Sequence, residues 1–231
     1  MHVALTVDVE DPDQRGHGNP DELAAILEAM NSAGIRATFF VQGRWLAANP
    51  EVASDIVTSG HLVGNHSYFH ADTRLLTGEG LREDVTRAHR EIEDSLGVDA
   101  RPWYRLPYGA GAESPRIQRR LKALGYRHVG WDVDVHDFCE AESDALVPSL
   151  ADALSVRRRA GATHAIVLLH SWPAVTAKAM PELCRFVVEH CESTVTVDQV
   201  PGHGTVPTTS PLVGRARALS SRATAIVTRR A

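Results

Sequence analysis

Two histidines lie four residues apart in the stretch "HLVGNHSYFH", at His66 and His70. Two imidazoles at this spacing can reach one metal ion across a single turn, although an isolated pair is more often structural. A third ligand changes that balance, and the acidic stretch "DVED" near the start of the chain offers Asp8, Glu10 and Asp11. Two imidazoles and one carboxylate leave open positions for water and substrate, which is typical of a catalytic metal site.

Further polar residues stand at the ends of other apolar runs. Each follows or closes one of these runs, and the set consists of Arg105, Tyr108, Asp134, Asp137 and His170. The carboxyl ends of parallel strands meet at one face of a (β/α) barrel, where catalytic groups from different strands gather. We therefore expect these side chains to meet the two histidines and the amino-terminal acids at one end of the fold.

The elements that must position these residues are seven short apolar runs, which alternate with longer segments of helical period. This rhythm predicts βα units around a parallel sheet. The runs are "HVALTVDV", "ATFFVQG", "HLVGNHS", "WYRLPYG", "HVGWDVD", "AIVLLH" and "STVTVDQV". Because the units lack a glycine-rich dinucleotide fingerprint, the pattern favours a barrel, with an open doubly wound sheet as the structural alternative.

The first helix can be bounded from the sequence. Asn19 is placed to cap it, Pro20 suits its first position and Glu22 completes a capping box. Gly34 is expected to end it. The apolar stripe of this helix consists of Leu23, Ile26, Leu27 and Met30.

Composition limits the classes of function. The chain has 231 residues, of which 43% are hydrophobic and 23% charged, and this suits one globular domain over residues 1–200. A net charge of -5 with scattered basic residues indicates no nucleic-acid partner, and no apolar run is long enough for a membrane span. Three cysteines without a CxxC pair, and no secretory signal, predict a cytoplasmic location. The oligomeric state does not follow from the sequence.

The alternation stops at residue 201. The last segment, residues 201–231, contains prolines, glycines, serines and five arginines but no acidic residue. We expect a basic tail with a short helix near residues 212–226. Since no candidate site residue lies in it, we expect the tail to be dispensable for chemistry.

Six stretches of the chain, taken in order, resemble the successive motifs of the NodB-homology polysaccharide deacetylases, carbohydrate esterase family 4. They are "LTVDVED", "ATFFVQG", "GNHSYFH", "YRLPYG", "WDVDVHDF" and "IVLLH", and the resemblance covers roughly residues 3–200. It implies a distorted, often incomplete (β/α) barrel, here of seven strands. It also implies metal-dependent hydrolysis of an acetamide, commonly on an N-acetylglucosamine unit.

The same resemblance assigns roles to the metal and base residues. His66 and His70 match the metal-binding histidines, and neutral imidazole suits zinc, with cobalt or nickel as alternatives. Asp8 matches the general base, which takes a proton from a water that the cation has acidified. Arg105 matches the arginine that pairs with this base and keeps it ionised and oriented.

The acid and the substrate contacts also follow from the resemblance. His170 matches the histidine that protonates the leaving amine, and Asp137 is placed to keep that imidazole charged. The backbone NH of Tyr108 is expected to face the oxyanion. Leu168 would line the small pocket for the acetyl methyl group. Two further residues are expected to contact the substrate, Pro107 and Trp172.

Two departures from the family pattern matter. Most members have adjacent aspartates after the first strand, whereas this chain has "DVED". Strand alternation puts Asp8 and Glu10 on one face, which assigns Asp8 as the base and Glu10 as the third ligand. In the competing register Glu10 is the base and Asp11 the ligand. The tryptophan usual after the fifth-motif aspartate is Phe138 here, which leaves the substrate open.

The sequence therefore predicts a metal-dependent N-deacetylase that acts on an acetylated sugar, an oligosaccharide or a related small acetamide. Two alternatives stay open. The same metal and base could open a cyclic amide or ureide, and a carbohydrate-binding pseudoenzyme would keep the barrel without turnover. Retention of the base, both histidines, the arginine and the acid argues against the pseudoenzyme.

Overall fold

A computed structural model describes residues 1–12, 18–139 and 142–202 of the chain. The strands in these ranges form one parallel sheet in the order β5-β4-β3-β2-β1-β7-β6, and β8 pairs with the start of β1. The strands are β1 (His2–Val9), β2 (Thr38–Val41), β3 (Leu62–Asn65), β4 (Trp103–Tyr104), β5 (Arg127–His128), β6 (Val133–Asp134), β7 (His164–His170) and β8 (Ser193–Thr194). The predicted tail and its helix lie outside the described residues, apart from residues 201 and 202.

Seven helices of the described ranges pack outside this sheet. They are α1 (Pro20–Ser32), α2 (Gly43–Ala48), α3 (Pro50–Thr58), α4 (Gly78–Leu96), α5 (Pro115–Ala123), α6 (Leu146–Arg159) and α7 (Ala174–His190). In α1 the side chain of Asn19 accepts a hydrogen bond from the NH of Asp21, and the four predicted stripe residues are buried. The predicted cap, the stripe and the end before Gly34, which has a φ of 67°, are therefore confirmed. The side chain of Asn19 bonds to Asp21 rather than to Glu22, so the predicted capping box is not formed.

The sheet curls into an incomplete barrel, as predicted. Going around the barrel, the strands from β1 to β7 follow one another in the order in which they occur in the chain. In an open doubly wound sheet this order would reverse, so that alternative is wrong. The fifth predicted run does not form a single strand, however. It divides into β5 and β6, which lie at opposite ends of the sheet. Between them, the carbonyls of Val129 and Gly130 accept hydrogen bonds from Arg105 at 3.2 Å instead of pairing with a strand.

Alternation along β1 separates two cores. Its odd-numbered residues from Val3 to Val9 pack in the large cluster between the sheet and the helices. Ala4 faces the barrel interior, where a smaller apolar cluster contains Phe40 and Ile166. The final predicted run forms only the two residues of β8, and Val197 and Val200 beyond it also pack in this interior cluster. Apolar side chains thus fill the barrel near the start of β1, and Asp8 lies further along the same face.

Within the described ranges, no helix combines the length and the apolarity that are needed to cross a membrane.

The barrel interior leaves no room for a side chain at Gly64, and this can be tested. A Cβ atom there would lie 2.5 Å from Cδ1 of Phe40, its register partner on β2. We expect Gly64→Ala to lower the free energy of unfolding by about 1–3 kcal/mol, measured by urea denaturation. Because Phe40→Leu removes the obstructing ring, the double variant should lose less than the sum of the two single losses. Strict additivity would contradict this account of the packing.

Candidate metal centre and active site

Three side chains with metal-binding atoms meet at the carboxyl end of the barrel. Glu10 follows β1, whereas His66 and His70 lie in the loop after β3. The Nε2 atoms of His66 and His70 are 3.0 and 2.7 Å from Oε2 of Glu10. One ligand atom from each residue lies within 4.8 Å of the others, and all three residues are buried. The structure thus brings together the three residues that the sequence analysis assigns to the metal.

The chemistry of this cluster fits a divalent ion. Nδ1 of His66 lies 3.0 Å from the carbonyl oxygen of Arg105, which makes Nδ1 the protonated nitrogen and turns Nε2 toward Glu10. Burial would raise the pKa of Glu10, but the charge of His70 and hydrogen bonds to His66 and His70 hold that pKa well below its usual value. An ionised carboxylate beside two imidazoles is a donor set that suits zinc or a similar ion.

Asp8 lies between this cluster and a buried arginine. Its Oδ1 accepts a hydrogen bond from Nη1 of Arg105 at 2.8 Å, and its Oδ2 lies 3.5 Å from Nε2 of His66. The same Nη1 donates to Oγ1 of Thr6 at 2.8 Å. Arg105 is 0% exposed, and its guanidinium stacks on the ring of Phe40 at 4.1 Å. Arg105 therefore fixes one oxygen of Asp8, and the other oxygen faces the cluster.

Asp11 faces away from the two histidines. Its Oδ1 accepts a hydrogen bond from the NH of Gly18 at 3.2 Å, and its Oδ2 lies 3.6 Å from Nη2 of Arg44. The NH of Asp11 donates to Oε1 of Gln42 at 3.1 Å. These contacts hold Asp11 on the other side of the chain, which favours Glu10 over Asp11 as the carboxylate beside the histidines.

A second ion pair lies on the neighbouring strand β7, where His170 is the register partner of Asp8. Nδ1 of His170 lies 2.7 Å from Oδ1 of Asp137, and Oδ2 of Asp137 accepts from the NH of His170 and from Oγ1 of Thr176 at 2.7 Å. Burial would lower the pKa of His170, but the charge and hydrogen bond of Asp137 raise it to about 9. His170 is therefore protonated near neutral pH, and because Nδ1 faces Asp137, Nε2 carries its second proton.

Other predicted residues border these groups. Tyr108 has a φ of 58°, and its ring centroid lies 4.6 Å from that of His70. Pro107, which precedes it, is buried in the same 3₁₀ turn. Leu168 lies two residues before His170 on β7 and is 3% exposed. Of these three, Tyr108 contacts one of the histidines directly, and the roles of all three stay predictions.

Trp172 makes a contact that the sequence did not indicate. Its Nε1 donates to Oε1 of Glu10 at 3.4 Å, and its ring centroid lies 6.2 Å from that of His170. The indole thus contacts the carboxylate oxygen opposite the one that faces the histidines. Trp172 orients Glu10 as well as bordering the site.

Asp134 lies outside the metal cluster. Its Oδ1 accepts a hydrogen bond from the NH of His136 at 2.8 Å and lies 3.2 Å from Nδ1 of that residue. The contact supports a turn in which His136 has a φ of 59°. Phe138, next along the loop after Asp137, is 45% exposed, and its ring centroid lies 5.5 Å from that of His170. This loop forms the rim of the site on the side of His170.

Three polar residues that support the site were not among the predicted site residues: Thr6, Asn65 and Thr176. Oδ1 of Asn65 accepts a hydrogen bond from the NH of Ser67, between the two histidines. Thr6 lies inside the largely apolar strand β1 and Asn65 is the last residue of β3, so the sequence did carry a signal for a buried polar role. Thr176 lies in helix α7, where no local pattern distinguishes it.

A second group of metal-binding side chains occurs within the described residues, at His89, Glu93 and Asp99. Glu93 and Asp99 are exposed, and Asp99 pairs with Arg101 at 2.8 Å. Because these acids are hydrated and one already has a cationic partner, this group is a surface ion-pair network rather than a metal site.

Comparison with known proteins places the chain in a family. The family model described as polysaccharide deacetylase matches residues 1–129, more than half of the chain. A chitooligosaccharide deacetylase of Bradyrhizobium sp. (strain ANU 289) is 32% identical over 152 residues, which are 66% of this chain and 65% of that relative. The chain spans 35% of the length of one curated relative, from Bacillus subtilis, and 68% of the length of another, a chitooligosaccharide deacetylase from Azorhizobium caulinodans.

Solved structures of deacetylases and related proteins have the same fold as this chain. The structure described as T48 deacetylase with substrate has a TM-score of 0.69 at 29% identity and covers 86% of this chain and 89% of that chain. A mutant of a Bacillus anthracis pseudoenzyme of the same esterase family, described as having restored enzymatic activity, has a TM-score of 0.71 at 25% identity, with coverages of 85% and 66%. With its family model, its relatives and its barrel in agreement, the chain belongs to the polysaccharide deacetylase family.

Proposed function

We propose that the protein is a metal-dependent hydrolase that removes the acetyl group from an acetylated sugar or a related small acetamide. The observation that carries this proposal is the convergence of Glu10, His66 and His70 beside two ion pairs at one end of the barrel. A hydrolase of an amide needs a group that accepts a proton from water and a group that protonates the leaving nitrogen. The two ion pairs supply one group of each kind.

The ion would be held by Glu10, His66 and His70, and zinc is the ion that we favour, with cobalt or nickel as alternatives. When bound, a divalent ion supplies Lewis acidity to the acetamide carbonyl and to a water molecule. All three side chains are buried, so they are held in place by the surrounding protein. The hydrogen bond of Nδ1 to the Arg105 carbonyl holds the ring of His66 in the ligating orientation.

Asp8 is the proposed general base. Its Oδ2 accepts the proton of the attacking water, while its Oδ1 stays fixed to Arg105. The buried cation of Arg105 stabilises the negative charge on the carboxylate before the reaction begins. Attack on the carbonyl carbon then gives a tetrahedral species, and the backbone NH of Tyr108 is the proposed donor to its oxyanion.

His170 is the proposed general acid. Its Nε2 proton passes to the amide nitrogen as the carbon–nitrogen bond breaks, which releases the free amine and acetate. Asp137 stabilises the imidazolium that must be present at the start of this step. Leu168 is proposed to contact the acetyl methyl group, and Pro107 and Trp172 are proposed to contact the rest of the substrate.

Several observations support an oligosaccharide as the substrate. The relative from Bradyrhizobium is named a chitooligosaccharide deacetylase. On the rim of this site Tyr108 and Phe138 are 54% and 45% exposed, and aromatic rings offer flat apolar surfaces to the faces of sugars. We propose a short acetylated sugar chain rather than an intact wall polymer, and a cytoplasmic location stays a prediction from the sequence.

Acetate release is the direct test of this function. We expect the purified protein to bind about one divalent ion per chain, to release acetate from short N-acetylglucosamine chains, and to lose this activity on chelation. Zinc or cobalt should restore it. Matched assays with cyclic amides and ureides test the alternative reaction on the same barrel. Sugar binding without acetate release would instead support the pseudoenzyme, and full activity without metal would contradict the mechanism.

The three acids of "DVED" should respond differently to removal of their charge. Asp8→Asn should keep the ion but lose about 100-fold or more in rate, since it removes the general base. Glu10→Gln should lose metal affinity, because a neutral amide is a poorer ligand than a carboxylate. Asp11→Asn should change little beyond its contacts with Gly18 and Arg44. Metal content and rate are measured together on each variant. A metal-replete, inactive Glu10→Gln protein together with metal loss in Asp11→Asn would establish the competing register.

The ion pair of His170 predicts a pH-dependent stability. The pKa of His170 is about 9 in the folded protein and 6.5 for the free side chain. The stabilisation that the protonated His170 provides is therefore complete below about pH 6.5 and is lost as the pH rises through 9. Asp137→Asn should therefore cost more stability at pH 6 than at pH 10, by on the order of 3 kcal/mol. Urea denaturation in EDTA measures it. Asp134→Asn, which removes a nearby charge, is the control. A pH-independent cost would contradict the assignment.

A further inference from the structure

Asp84 of helix α4 lies beneath the loop that carries both histidines and has no role in the chemistry proposed above. It is 4% exposed. Its Oδ1 accepts hydrogen bonds from the backbone NH groups of Tyr68 and Phe69 at 3.1 and 2.9 Å. The hydroxyl of Ser67 also interacts with this carboxylate and counteracts the rise in its pKa that burial causes. One buried side chain therefore binds the backbone of two of the three residues that separate His66 from His70.

The histidine loop needs such support because its backbone is strained. Ser67 and His70 have φ values of 67° and 56°. Residues other than glycine adopt this left-handed region at a cost of about 1–2 kcal/mol each. The NH of His70 donates to Oγ of Ser67 at 2.8 Å. Ser67, next to the residues that Asp84 binds, thus holds the backbone of one of the two histidines.

A second residue of helix α4, close to Asp84, also contacts the loop. The guanidinium of Arg87 lies 3.8 Å from the ring centroid of Tyr68, and its Nη2 donates to Oη of that tyrosine at 3.1 Å. Tyr68 is therefore fixed to α4 by its backbone and by its ring. Because the helix packs as a rigid element, it presents Asp84 to the loop at a constant position.

We propose that Asp84 is a positioning residue that sets the separation of His66 and His70 and thereby the affinity of the site for a divalent ion. This inference rests on the metal site proposed above. Residues that orient metal ligands typically change metal affinity by about 10–100-fold when they are removed. Asp84 acts through the backbone of the loop, whereas the carbonyl of Arg105 acts on the ring of His66 directly.

Three variants test this role. Asp84→Ala removes both carboxylate oxygens, and Asp84→Asn keeps the volume and one acceptor oxygen. Glu83→Gln is the matched control, since it neutralises an exposed carboxylate one residue away on α4. We expect the zinc dissociation constant, measured by competition with a chromophoric chelator, to rise about 10-fold or more in Asp84→Ala. The rise should be smaller in Asp84→Asn and absent in Glu83→Gln.

A spectrum separates positioning from general stability. We expect the visible absorption of cobalt-loaded Asp84→Ala to differ from that of the wild type, because ligand geometry determines that absorption, whereas a loss of unfolding free energy alone would leave it unchanged. A folded Asp84→Ala protein with the wild-type zinc affinity and cobalt spectrum would overturn the proposal. If Asp84→Ala does not fold, unchanged values in Asp84→Asn overturn it. Failure of both the wild type and Glu83→Gln to bind an ion would refute the metal site itself, and this inference with it.

Discussion

The buried guanidinium of Arg105 is the constraint on which both the barrel and its site depend. It extends from the end of β4 to Asp8 on β1, and it binds the carbonyls of Val129 and Gly130 where the sheet is interrupted. A cation without access to water needs an anion, and removal of one partner of such a pair typically costs about 3–5 kcal/mol. The proposed base therefore contributes to the stability of the fold as well as to the chemistry. Arg105 also stabilises the segment between β5 and β6, because it binds carbonyls there that have no partner strand.

Alternation along β1 explains how this chain can use a glutamate at the proposed metal site. Asp8 and Glu10 lie on the same side of the chain, and the side chain of Glu10 is long enough to contact both histidines. Trp172 then holds the second carboxylate oxygen. Asp11, one residue further, is turned away and bonds to Gly18. The spacing of the acids thus determines which of them can face the histidines.

Much of this arrangement could be predicted because it depends on local patterns. Apolar runs predicted the strands, the residues at their ends predicted the site, and Asn19 with its apolar stripe predicted the first helix. The division of the fifth run could not be predicted, since it depends on a side chain, Arg105, that is distant in sequence. Asp84 and Thr176 were missed for the same reason, because each lies in a helix and acts on a loop from another part of the chain.

The two ion pairs also explain how a carboxylate and an imidazolium can be neighbours without neutralising each other. Asp8 and His170 are register partners on adjacent strands, and opposite charges at that spacing would otherwise bond directly. Each has its own counterion instead. Arg105 binds Asp8 from inside the barrel, and Asp137 binds His170 from the loop after β6. Oδ2 of Asp8 and Nε2 of His170 are thereby left for the proton transfers that we propose, which a single direct pair between them would prevent.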